Sequence, residues 1–176
     1  GVVRILNAET NKDILNKEML VAAGEGRQRL VYGLVHAGAD LEARDDENNT
    51  ALHISAQKRH ESVVRILLQL GIDVNMRGKH NFTPLMTSAS AGEHRVAKVL
   101  GRTGADLNLQ SDEGYTALMI AAGKGYISLV CDLLEAGADR DIQNEYNMTA
   151  LQEAQREGHQ DCVEILERNQ IQVDGE

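Results

Sequence analysis

Tryptophan is absent from this chain, and among its 176 residues there is one phenylalanine and one proline. Aromatic residues amount to 3% while apolar residues make up 42%, so the core must be built from aliphatic side chains and alanine. That composition suits closely packed helices and is far from disordered or collagen-like chains. No apolar run approaches the roughly 18 residues that would span a membrane. The opening Gly1-Val2-Val3-Arg4-Ile5-Leu6 is too short and wrongly flanked for a secretory signal. A chain that opens on glycine is expected to be cut from a longer polypeptide. The only cysteines, Cys131 and Cys162, make no disulfide framework, and a reducing compartment, cytosol or nucleus, is expected. Basic residues are the minority, 18 against 27 acidic, for a net charge of −9. A nucleic-acid partner normally needs a basic face, so that class is disfavoured. A basic protein segment is the better expectation, although acidity by itself mainly promotes solubility.

What is present is a period. Thr50-Ala51-Leu52-His53, Thr83-Pro84-Leu85-Met86, Thr116-Ala117-Leu118-Met119 and Thr149-Ala150-Leu151-Gln152 start 33 residues apart each time. The same step carries Leu67 to Leu100, Leu133 and Leu166, and Gly38 to Gly71, Gly104 and Gly137. Stepping back from Leu52, Ala56 and Leu67 lands on Met19, Ala23 and Leu34. Five units without insertion or deletion are the signature of a stacked repeat array.

Each unit has a physical reading. The threonine is a good helix N-cap, and Pro84 falls in the first turn, where proline is tolerated. Leu52, Ser55 and Ala56 give a narrow buried face whose small residues let a neighbouring helix approach. After a turn, Val63, Val64, Leu67 and Leu68 line a second helix, which Gly71 ends in the left-handed conformation. A short extended arm leads to a polar tip, where Asn48, Asn81, Gly114 and Asn147 share one position that favours positive φ.

These residues resemble the ankyrin repeat family, with repeat four matching most fully through Gly114, Thr116, Leu118, Ala121-Ala122, Gly125, Val130, Leu133-Leu134 and Gly137-Ala138-Asp139. The resemblance covers roughly residues 12 to 169 and implies an all-α solenoid of helix pairs with β-hairpin-like arms. The expected layout is a lead or remnant helix over 1–11, repeat one as an N-terminal cap over 12–44, then 45–77, 78–110 and 111–143, with 144–176 as a C-terminal cap. Terminal repeats need polar outer faces because they lack a neighbour. Gln155 and Glu167, at slots that are alanine and leucine in earlier repeats, fit that role. At the other end, Asp13 through Ala23 reads as a lengthened first helix, with Thr10 and Asp13 approximating a capping box. Two departures stand out inside the array. Gly101 replaces Leu68 within a second helix, and Arg59 replaces the inter-helix glycine of repeat two.

Catalysis needs convergent titratable groups, and none is evident, so no enzymatic activity, cofactor or metal is expected. The six histidines fall on helices (His36, His53, His94), inter-helix turns (His60, His159) and an arm tip (His80), with no zinc-ligand spacing to cysteine, and the glycines are accounted for by the repeat. The family resemblance alone implies one chemical modification, β-hydroxylation of asparagines that follow a leucine by eight residues. Asn75 and Asn108 match that pattern.

The resemblance also implies a protein-recognition scaffold, expected to be monomeric, that binds a protein or peptide on its concave face and arm tips. By register the expected contact residues are Phe82, Tyr115, Met148, Tyr146, Lys79, Arg77, Asp112, Glu113, Glu145 and Ile120. The residue before each threonine runs Asn49, Phe82, Tyr115, Met148, a row of large side chains with no evident core duty. An extended peptide with an apolar anchor and basic flanks suits such a surface. The alternative is a docking or regulatory region of a larger enzyme or channel. A methylated-lysine reader is disfavoured, since its aromatic cage would need more rings.

Overall fold

A computed structural model describes residues 8–171. Ten α-helices follow one another: α1 (Ala8–Gly24), α2 (Gln28–His36), α3 (Ala51–Gln57), α4 (Glu61–Gln69), α5 (Pro84–Ala91), α6 (His94–Arg102), α7 (Ala117–Gly123), α8 (Ile127–Glu135), α9 (Ala150–Glu157) and α10 (Gln160–Ile171). Odd-numbered helices stack in order as an inner row, and even-numbered ones form an outer row behind them. Leu52, Leu85 and Leu118 are fully buried between these rows, as are Leu67 and Leu100. The expected all-α solenoid is what folds.

Local chemistry sets the element ends. The hydroxyls of Thr83, Thr116 and Thr149 accept from the backbone N–H groups of Met86, Met119 and Gln152, each three residues on, satisfying otherwise orphaned helix donors. Thr50 instead engages the ring of His53. The first helix differs from expectation. It begins at Ala8, so Thr10 lies inside α1 rather than capping it, and of the lead segment residues 1–7 lie outside the described residues.

Between helix pairs the chain runs out and back as an arm, and among the described residues only Arg44 and Thr50 make an antiparallel bridge. The arms are joined by a ladder. Arg44 Nη1 donates to Asn48 O in its own arm (2.7 Å) and to Arg77 O in the next (2.6 Å). Arg77 Nη1 repeats this with Asn81 O (2.8 Å) and Gln110 O (2.7 Å). Gln110 Nε2 continues it to Gly114 O (2.8 Å) and Gln143 O (2.9 Å). Each rung ties backbone carbonyls of two successive arms through one side chain.

Numbered by the repeat each leads into, so that arm two precedes α3 and arm three precedes α5, arm three turns differently from the rest. Asp45 and Asn144 fasten their own tips by accepting backbone N–H groups, and Ser111 does so for Tyr115. Gly78 occupies that position in arm three, because a Cβ there would lie 2.7 Å from Asn49 Oδ1 and 2.9 Å from the His53 ring. Without a fastening side chain the tip winds tighter, with His80 (φ 54) and Asn81 (φ 59) both left-handed. Asn49 Oδ1 reaches across from arm two to accept Lys79 N–H instead.

The two ends of the stack are unlike. Gln155 and Glu167 are exposed on the last repeat, whereas the first repeat leaves Val21 and Leu30 uncovered. Gly101 has open space where a side chain would be, and beside it a cleft of about 250 Å³ runs between α6 and α8 over Ala97, Leu107, Leu129 and Leu133.

Candidate binding groove

Inner helices and arms enclose a groove with two clefts that meet at His80, Phe82 and Ser90. The first, about 390 Å³, lies between arms two and three over α3 and α5. Most of its lining residues are polar, among them Asn49, Gln57, His53, and the ion pair of Lys79 Nζ with Glu47 Oε1 at 2.6 Å. The second, about 370 Å³, extends from arm three to α9. Its floor is Met119, Ile120 and Gly123, and Phe82 and Tyr115 stand over it from the arms.

Glu153 forms the far wall with its side chain almost fully buried. Where repeats two and four place isoleucine, this carboxylate accepts from Asn144 Nδ2 (2.7 Å) and pairs with Arg156 Nη2 (2.7 Å). Arg156 is held from its other side by Glu157 (2.9 Å). A buried charge is tolerable only with such partners. Tyr115 borders the same cleft as this group, and burial pushes its pKa up. Nothing in the repeat pattern announces this network. The one signal was charge, Glu153 and Arg156 three residues apart on an inner helix whose equivalents are mostly apolar or small.

The expected contact residues divide into two groups. Phe82, Tyr115, Ile120, Asp112 and Glu113 are brought together in the second cleft. Glu145 and Tyr146 are exposed on the neighbouring arm, whose Glu145 N–H donates to Glu113 O, and Met148 is half-buried beside Arg156. Arg77 and Lys79 are engaged within the array: Arg77 is a ladder rung with its guanidinium on two carbonyls, and Lys79, which also lines the first cleft, is paired with Glu47. Phe82 and Tyr115 do not stack on each other; among the described residues the one close ring pair is Tyr32 with His36.

His53 supports arm three. Its Nε2 donates to Phe82 O (3.0 Å) and its Nδ1 accepts from Thr50 N–H (3.3 Å), the neutral tautomer, and burial lowers its pKa. Asn75 Oδ1 and Asn108 Oδ1 each accept a backbone N–H of the following repeat, from Asp106 and Asp139, at 2.8 Å. Both therefore have an inter-repeat structural duty. On the outer row Asp132 takes His94 and Lys98 together; burial works against its charge, but those hydrogen bonds hold its carboxyl below the usual range. Cys131 is half-buried and Cys162 buried, its thiol pushed up by that burial, and neither is in a disulfide. Among the described residues no cluster of three or more His, Cys, Asp or Glu could hold a metal, and no helix is long and apolar enough to cross a membrane.

A family model described as ankyrin repeats (three copies) matches residues 19–111 and again 103–175. The chain belongs to the ankyrin repeat family. Ankyrin repeats generally act as protein–protein interaction modules, and the paired helices, arms and groove of this array are that architecture. No curated protein matches this ankyrin array at a significant level.

Proposed function

We propose that this ankyrin array is a non-catalytic recognition module that binds a protein or peptide segment along its groove and arm tips. One observation carries the reading: the stacking core leaves Phe82, Tyr115 and Ile120 gathered over a cleft of about 370 Å³ with Asp112 and Glu113 at its edge. Concave sites with apolar floors and a few fixed polar groups are where ligands bind, and aromatic side chains in them supply most of the binding energy. The acidic edge favours a partner with basic flanks. The free cysteines suit a reducing compartment, cytosol or nucleus.

The test is capture of partners from the source cell by wild type and by Phe82→Ala with Tyr115→Ala. Loss of two true anchors weakens binding by about thirtyfold or more, which abolishes capture. Both rings are half-buried against the core, so the variant should also melt several degrees lower, and its helical circular dichroism must be intact for the comparison to count. Full-strength capture by a folded double variant would move the site away from the groove.

A further inference from the structure

We propose that the second cleft, the one floored by Met119 and Ile120, takes an arginine side chain of the partner, its stem over the apolar floor and its guanidinium between the rings of Phe82 and Tyr115 and the acidic edge. This rests on the groove being the binding face and specifies what enters it.

Charge is the first ground. Four carboxylates line the cleft, those of Asp112, Glu113, Glu153 and Glu157, against the cations of Lys124 and Arg156, with His80 at the junction. Arg156 is already enclosed by Glu153 and Glu157 at 2.7 and 2.9 Å. Asp112 has only the neutral amide of Asn81 as a side-chain partner, and Glu113 is in no ion pair among the described residues. A purely apolar anchor filling this space would strip water from those carboxylates and give nothing in return, which is costly. A guanidinium gives them donors.

Shape is the second ground. The rings of Phe82 and Tyr115 both border the cleft without stacking on one another, and each is only half-buried. Gly123 leaves the floor open, since a Cβ there would meet nothing nearer than Glu153 Oε2 at 3.7 Å. Arginine combines an apolar stem with a planar head that stacks on aromatic faces and forks to carboxylates, whereas lysine brings a compact, strongly hydrated charge. A single side chain thus covers Met119 and Ile120 and answers Asp112 and Glu113.

The test uses the full chain and small probes, N-acetyl-arginine methylamide, its lysine equivalent and its leucine equivalent, titrated by methyl and aromatic NMR. The arginine probe should shift the signals of Met119, Ile120 and Tyr115 and bind about three- to tenfold tighter than the leucine probe. That preference should shrink as salt rises and vanish in Asp112→Asn with Glu113→Gln. A leucine probe that binds as well or better overturns the proposal in favour of an apolar anchor, and a lysine probe that binds tighter than arginine overturns the stacking argument. If no probe shifts those signals while partner capture still depends on Phe82 and Tyr115, the arginine assignment fails and the groove reading stands. If capture ignores Phe82 and Tyr115, the groove reading fails as well.

Discussion

Arg59 sets two effects against each other, and their sizes can be worked out separately. Its φ is 67°, where the equivalent inter-helix turns hold Gly26, Gly92, Gly125 and Gly158, and a side chain in that region costs about 1–2 kcal/mol. Against this, its Nη2 donates to Ala91 O at 2.8 Å, the last carbonyl of α5, in the next repeat. Such a bond contributes about 1 kcal/mol net. Its contact with Glu93 is long, 3.7 Å, with the arginine side chain 62% exposed, so the ion pair adds little, about 0–0.5 kcal/mol. Arg59→Gly removes strain and bond together and should leave stability within about 0.5 kcal/mol of wild type. Arg59→Ala keeps the strain, loses the bond, and should be destabilised by about 1 kcal/mol. Equilibrium urea unfolding of the three proteins measures both differences, provided the slopes agree. If alanine matches or exceeds glycine, the left-handed turn does not survive substitution and the strain reasoning is wrong.

Two further outcomes follow from the same structure. Gly101→Leu restores the side chain that Leu68 and Leu134 supply elsewhere, into open space beside the cleft, and should raise the urea midpoint by about 1–2 kcal/mol equivalent through helix propensity and burial; an unchanged or lower midpoint would show that the cleft cannot accept it. His53 has a folded pKa below its ordinary value, so the unfolded chain takes the proton more readily. The stabilisation is complete above about pH 6.5 and is lost as pH falls from there through the folded pKa. His53→Gln, the residue whose equivalent Gln152 already accepts Thr149 N–H, should flatten that loss between about pH 7 and pH 5, and parallel midpoint curves would contradict it.

The fold was legible in the sequence because stacking makes the same demand every 33 residues, and Leu67, Leu100, Leu133 and Leu166 all answer it by being buried. The site was legible only in part. That Phe82 and Tyr115 border the cleft was recoverable because no periodic core slot claims them. The ladder role of Arg77 was not, since an arginine near an arm tip reads the same whether it faces solvent or two backbone carbonyls. The Asn144–Glu153–Arg156 group escaped because it joins different registers of one repeat, a relation that no periodic comparison samples. The start of α1 escaped too, because its first turns lie where the other repeats form an arm.

The ladder of Arg44, Arg77 and Gln110 has an evolutionary consequence. Its acceptors are main-chain carbonyls, so the spacing of the arms does not depend on which side chains decorate their tips. Positions such as Asp46, His80, Glu113 and Tyr146 can therefore drift or be selected one at a time without disturbing the pitch of the comb. A lineage carrying this array could exchange one partner for another through a few tip substitutions, keeping at every step a protein that still folds.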